Sequence, residues 1–144
     1  MSAYRYKTTG RAIGSSPDEV WRNGLQTTLD ALRPLATDVI VLGDTPTPLD
    51  DVPSCLAAHL RRATACMNPR TAAVKPGRLQ VESEVAAALD ARFVPTSDLL
   101  CTDTECPVVI GNLLVYRDNS HITTAASMWV EPYLAAAVEP LLTG

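Results

Sequence analysis

The sequence predicts an α/β domain, and two observations carry that expectation. Val39-Ile40-Val41-Leu42 is a continuous apolar, β-branched run that ends at Gly43. This is how a strand buried on both faces of a parallel sheet reads. The run follows a helical segment, and further on a second helix leads into the short strand Phe93-Val94-Pro95. Helices alternating with short apolar strands build βαβ units. The chain has 144 residues and a mass of 15.4 kDa, which fits one domain. With 47% apolar and 19% charged residues it falls with globular rather than disordered chains.

The elements follow in order. Residues 1–16 are polar, contain Gly10, Gly14, Ser15 and Ser16, and are expected to be a flexible arm or connection. Residues 17–144 form the domain. Ser16 suits an N-cap, Pro17 the first helical position, and Asp18 and Glu19 the positive end of a helix dipole. Val20, Leu25, Leu29, Leu32 and Leu35 recur at near-helical spacing, Trp21 and Leu25 share a face, and Pro34 marks the end. The strand at Val39–Leu42 comes next. Asp44 to Pro53 holds three prolines and must be a loop; in open α/β sheets such loops after parallel strands line the active-site rim. Ser54 to Ala65 is expected to be a short helix with Ser54 as its N-cap. Met67 to Gly77 reads as an irregular connection, and Leu79 to Ala91 as a helix with a Val81, Val85, Ala88, Leu89 stripe. Ser97 to Pro107 is a turn bounded by cysteines, and Val108 to Arg117 is expected to be a hairpin or a short extended pair. Thr123 to Leu142 is the last helix, with a kink or restart expected at Pro132.

The formal net charge is −4, and the 12 basic residues are scattered. Nucleic-acid binders usually concentrate basic charge in a patch, so no nucleic-acid partner is expected. No apolar run approaches the roughly 20 residues of a membrane span, and the start MSAYRYKTTG is not of signal-peptide type. Yet the four cysteines form an even set in two short segments, a pattern of oxidising compartments. An exported character without an export signal leads to the expectation that this chain is a piece of something longer.

Asp118-Asn119-Ser120-His121 is the sharpest chemical feature. It follows an apolar run and precedes a helix start. In a tight turn this spacing brings a carboxylate beside an imidazole, fixing the tautomer and freeing the other ring nitrogen as a general base. A capping turn with an incidental histidine is the simpler alternative. Four cysteines allow three pairings, of which Cys55–Cys66 with Cys101–Cys106 has the shortest loops. A zinc site competes, but only the Cys101–Cys106 spacing falls within the two to four intervening residues that zinc ligands favour. His59 and His121 are not at ligand spacing, and His59 reads as an ordinary helix residue.

The string Leu114-Val115-Tyr116-Arg117-Asp118-Asn119-Ser120-His121-Ile122-Thr123 resembles the closing catalytic block of SGNH hydrolases. The resemblance is nearest to the SGNH domains appended to bacterial membrane acyltransferase-3 proteins, with Ile122 where leucine is frequent. Val39 to Pro46, Val52-Pro53-Ser54-Cys55-Leu56 and Cys101 to Pro107 look like the same group, in the same order. The resemblance implies a three-layer, flavodoxin-like α/β fold, His121 as general base, Asp118 as its orienting carboxylate, and the local cysteine pairing. The family's Gly-Asp-Ser nucleophile block and its oxyanion Gly and Asn blocks are not found here, so the fold is expected to be incomplete and the chain inactive or nearly so. Gly43-Asp44-Thr45 mimics Gly-Asp-Ser and makes Thr45 the one nucleophile candidate. Pro46-Thr47-Pro48 makes a stiff loop there rather than a helix start, and a loop role near the site is the plainer reading. Ser120 lies inside the turn, and Asn112 after Gly111 reads as a turn residue.

What the resemblance implies of function is an extracytoplasmic domain tethered in cis to a membrane acyltransferase-3 part. Such domains move acyl groups, often acetyl, from a donor onto cell-envelope carbohydrate or lipid through a serine ester. No cofactor and no metal are expected. The alternative is a catalytically inactive remnant or interaction module of the same fold, and self-association through an uncovered sheet edge is expected of the isolated chain.

Overall fold

The computed structural model describes residues 16–142; the arm expected over the first sixteen residues lies outside them, except for Ser16. Helix α1 (Pro17–Leu32) starts as its sequence dictates. Ser16 Oγ accepts from the Glu19 N–H at 3.1 Å, and the Ser16 N–H donates to Glu19 Oε2 at 2.6 Å. This reciprocal capping box satisfies two amides that the helix cannot. A 3-10 turn over Arg33–Leu35 follows. Strand β1 (Ile40–Leu42) runs parallel to β3 (Arg92–Val94), with Val41 opposite Phe93.

Between these strands lie α2 (Val52–Ala58), the two-residue β2 (Asn68–Pro69), α3 (Arg70–Ala73) and α4 (Pro76–Ala88). Beyond β3 come α5 (Ser97–Leu100), β4 (Glu105–Cys106), the pair β5 (Val109–Ile110) and β6 (Leu113–Leu114), and α6 (Thr124–Leu142). β4 pairs antiparallel with β2, and β5 with β6 through Gly111, which adopts the left-handed φ of 58° that glycine tolerates without cost. Among the described residues no helix is long and apolar enough to cross a membrane.

Two apolar clusters divide the core. In one, Leu29 of α1 and Val81, Val85 and Ala86 of α4 are buried with Ala91, against Trp21, Leu25, Val39, Val41 and Phe93. This cluster covers one face of the β1–β3 pair with helices. In the other, Val52, Leu100, Val108, Val115, Tyr116, Ala126 and Val130 close the space between α2, α5, the β5–β6 hairpin and α6. The chain is thus an α/β fold with small sheets.

Several details depart from the sequence reading. β1 is not covered on both faces: side chains alternate along a strand, and Leu42, on the face away from α1 and α4, is 47% exposed. Asp51, not Ser54, caps α2; its Oδ1 accepts from the Ser54 amide and hydroxyl. That helix stops at Ala58, and a separate 3-10 turn spans Ala63–Cys66. α4 begins at Pro76, because proline suits the first helical position, where the missing N–H has no partner to lose. α6 runs on through Pro132 and Pro140 with no restart. The carbonyl orphaned by Pro132 belongs to Met128, whose side chain is largely exposed, so water can take the lost bond.

Candidate active site

The turn between β6 and α6 is held from several sides. Val115 N–H donates to Val108 O at 2.9 Å, and Tyr116 bridges antiparallel to Ile122. Arg117 N–H donates to His121 O at 2.9 Å and Thr123 N–H to Val115 O at 2.8 Å. Thr123 Oγ1 donates to Leu114 O at 2.7 Å and accepts from the Ala126 N–H at 3.0 Å, capping α6. Val115 and Tyr116 are almost wholly buried, so residues 117–121, exposed apart from the half-buried Asp118, sit on a packed base.

Within that turn Asp118 does two things. Its Oδ1 accepts from the backbone N–H groups of Ser120 at 2.8 Å and His121 at 2.7 Å, an Asx turn. Its Oδ2 lies 2.8 Å from His121 Nδ1. Those two amides, the first cause being that of His121, hold the carboxyl well below the usual carboxylate range, with the imidazole contact adding to them. An ionised Asp118 fixes the neutral ring as the Nδ1–H tautomer and leaves Nε2 as the lone-pair nitrogen. Nε2 has no hydrogen-bond partner among the described residues, and the side chain is 54% exposed. The arrangement holds an imidazole in orientation against a carboxylate, and among the described residues no side chain lies at hydrogen-bond distance of Nε2.

The other candidates stand elsewhere. Ser120 Oγ lies 3.2 Å from His121 Nδ1, the nitrogen already turned to Asp118, and so is not placed to be activated by Nε2. No hydrogen bond joins Thr45 to His121; the Thr45 N–H donates to Asp44 Oδ1 at 2.9 Å. Gly43 ends β1 with its N–H on Val94 O, and a side chain there would meet Phe93 and Leu79. Asn112 is exposed in the β5–β6 turn.

The cysteines are joined as Cys55–Cys66 and Cys101–Cys106. His59 Nδ1 donates to Cys55 O at 2.9 Å and lies 3.8 Å from Cys55 Sγ and 4.0 Å from Cys66 Sγ. Cys55, His59 and Cys66 are therefore close enough to hold a metal ion between them, but the disulfide occupies both sulfurs. Tyr116 lies buried at the base of the turn, and its hydroxyl is pushed up to about 12 by burial first and by the Asp44 carboxylate second.

A parallel strand pair backed by helices, a hairpin, a turn joining Asp118 to His121 and a final helix make an α/β domain that presents a carboxylate–imidazole pair at one turn. The sequence matches the family described as "SGNH domain (fused to AT3 domains)" over residues 1–136; the chain belongs to this family. The fold is similar to the lipopolysaccharide acetyltransferase periplasmic domain of Salmonella ser. Paratyphi A, with a TM-score of 0.68 and 14% identity. The match covers 90% of this chain and 53% of that one, so the chain spans about half the length of that structure. Comparison with curated proteins gives no match.

Proposed function

We propose that this chain is the dyad-bearing portion of an extracytoplasmic SGNH domain that O-acylates cell-envelope carbohydrate or lipid. In this proposal it works in cis with a membrane acyltransferase-3 part. Membership of a family named for fusion to AT3 domains supports the partner, and the periplasmic lipopolysaccharide acetyltransferase with a similar fold supports the compartment and the acceptor class. The observation that carries the chemistry is the 2.8 Å contact of Asp118 Oδ2 with His121 Nδ1, which leaves Nε2 open.

In this reading a serine from the rest of the domain lies at Nε2. His121 Nε2 takes the hydroxyl proton as the serine oxygen bonds to the acyl carbonyl carbon. The tetrahedral intermediate expels the donor group, which receives that proton from the imidazolium. An acceptor hydroxyl then attacks the serine ester, His121 removes its proton, and the serine oxygen leaves and takes the proton back. Asp118 stays ionised throughout and stabilises the imidazolium.

The test is hydrolysis of p-nitrophenyl acetate by the longer protein that contains this chain. His121→Ala is expected to lower kcat by at least about 10³-fold, as loss of a triad base does, and the 144-residue chain is expected to show only background. Full activity of the His121→Ala protein refutes the assignment of the base. An inactive longer protein supports the remnant or interaction-module reading instead.

A further inference from the structure

Cys55, His59 and Cys66 bring two sulfurs and a ring nitrogen within 4.8 Å of one another, the one such group of three among the described residues. Local structure builds it. Cys55 and His59 stand four residues apart at the end of α2 and so share a face. The chain then turns back on itself. Arg62 N–H donates to His59 O at 2.8 Å and Ala65 N–H to Arg62 O at 3.0 Å, which returns Cys66 to the helix. Cys66 is 7% exposed in the cluster of Val52, Val108 and Val115, and Cys55 and Leu56 pack against that cluster. Asp51 caps the start of α2. Packing, capping and turns thus act on these three residues in addition to the S–S bond.

The ligand types select the ion. Two thiolates and an imidazole are the donors that zinc takes, whereas calcium and magnesium need oxygen. Tetrahedral zinc, with bonds of about 2.3 Å to sulfur and about 2.0 Å to nitrogen, sets those atoms about 3.5 Å apart. His59 Nδ1 already lies 3.8 Å from Cys55 Sγ and 4.0 Å from Cys66 Sγ, so only the two sulfurs must part. Two thiolates cancel the charge of a divalent ion, so Arg61 and Arg62, next in sequence, do not oppose the complex. His59 is exposed, which leaves the fourth position to water. Residue spacing favours Cys101–Cys106 for zinc, and the structure reverses that preference, because that pair has no third ligand.

We propose that Cys55, His59 and Cys66 bind Zn²⁺ when the disulfide is reduced, so that metal and disulfide are alternative links between α2 and the turn before β2. A phosphine reductant breaks the S–S bond with two electrons and takes up the oxygen of one water, whose two protons end on the sulfurs. Zn²⁺ then displaces both thiol protons to solvent. His59 Nδ1 gives up its bond to Cys55 O and its proton, and the ring binds as the neutral Nε2–H tautomer. None of these residues belongs to the Asp118–His121 turn, and the proposal does not draw on the acyl-transfer reading.

The experiment titrates the 144-residue chain, reduced with a phosphine in the absence of oxygen, first with Co²⁺ and then with Zn²⁺. Thiolate-to-cobalt charge transfer and the visible bands of tetrahedral cobalt report binding, and circular dichroism reports the fold. The expected result is one Co²⁺ per chain, displaced by Zn²⁺, and none in the oxidised chain. Cys55→Ala/Cys66→Ala is expected to abolish the bands and Cys101→Ala/Cys106→Ala to leave them. His59→Ala is expected to weaken binding at least roughly tenfold, since even the residues that merely orient zinc ligands cost that much; the side chain is exposed, so the fold is retained. Absence of thiolate–cobalt bands in the reduced chain overturns the proposal, as does a His59→Ala chain that binds equally well. An equal loss from Cys101→Ala/Cys106→Ala overturns it too, because the ion is then collecting sulfurs from an unfolded chain.

Discussion

At the scale of single residues, Asp118 is held by its own turn. Two amides and one imidazole converge on its carboxyl and hold it below its ordinary value. A depressed carboxyl stabilises the turn wherever the unfolded group is also ionised, above its usual value near about 3.9. That contribution declines as pH drops below the usual value and is gone once pH has fallen through the lower folded value. Between pH 5 and 8 the orienting charge is therefore constant, and an acid limb in the activity of the longer protein would belong to another group. Asp118→Asn keeps an oxygen for the two amides but presents a neutral amide to Nδ1, which favours the wrong tautomer. Activity is expected to fall on the order of 10³–10⁴-fold, as in comparable triads, with the fold retained by circular dichroism. A loss under tenfold would mean that Asp118 only builds the turn. This pair was legible in the sequence because its three-residue spacing is closed by local bonds alone. The Trp21–Glu82 hydrogen bond and the ties from Thr96 to Gly43 and Asp44 were not, because each joins segments brought together only by packing.

At the scale of elements, local rules decided most outcomes. The Ser16–Glu19 capping box, the β5–β6 hairpin and the parallel β1–β3 pair follow from side chains within a few residues or from plain apolar runs. The misreadings arose where two local signals competed. Pro76 stood inside a stretch that looked like a broken connection, yet proline begins a helix well. Asp51 and Ser54 are both good caps, and the carboxylate took the role. α2, α3 and the two-residue strands are too short to hold themselves, and the disulfides tie this part together. Cys55–Cys66 spans 11 residues and Cys101–Cys106 spans 5. By loop-closure entropy their loss is expected to cost about 3 and about 2 kcal/mol respectively. Urea titration of the Cys55→Ala/Cys66→Ala and Cys101→Ala/Cys106→Ala double variants measures both. The ranking is the critical outcome: a larger loss from the shorter loop would mean that packing around Cys106, itself 1% exposed, outweighs chain closure.

At the scale of the whole molecule, the apolar face of the sheet was readable but its coverage was not. Val39–Leu42 has the composition of a central strand, and composition does not say which neighbours are present. Among the described residues β1 has a single partner, β3, so its other edge offers unpaired N–H and C=O groups. Leu42 is exposed beside that edge, and Leu35 and Leu49, near it in sequence, are exposed too. An apolar strand with an open edge is a template for another strand. We therefore expect the 144-residue chain to form dimers or larger species as its concentration rises. Light scattering across a dilution series measures this. Leu42→Lys places a charge where natural edges carry one and removes about 1.5–3 kcal/mol of apolar burial from any contact made there. It is expected to weaken association at least roughly tenfold. Val41→Lys would be the wrong probe, because Val41 packs against the α1–α4 cluster and its loss would unfold the core. A chain that stays a monomer throughout the series and melts cooperatively would show that the β1 edge is already closed. Leu42 would then be an ordinary exposed residue, and the sheet as described would be sufficient to itself.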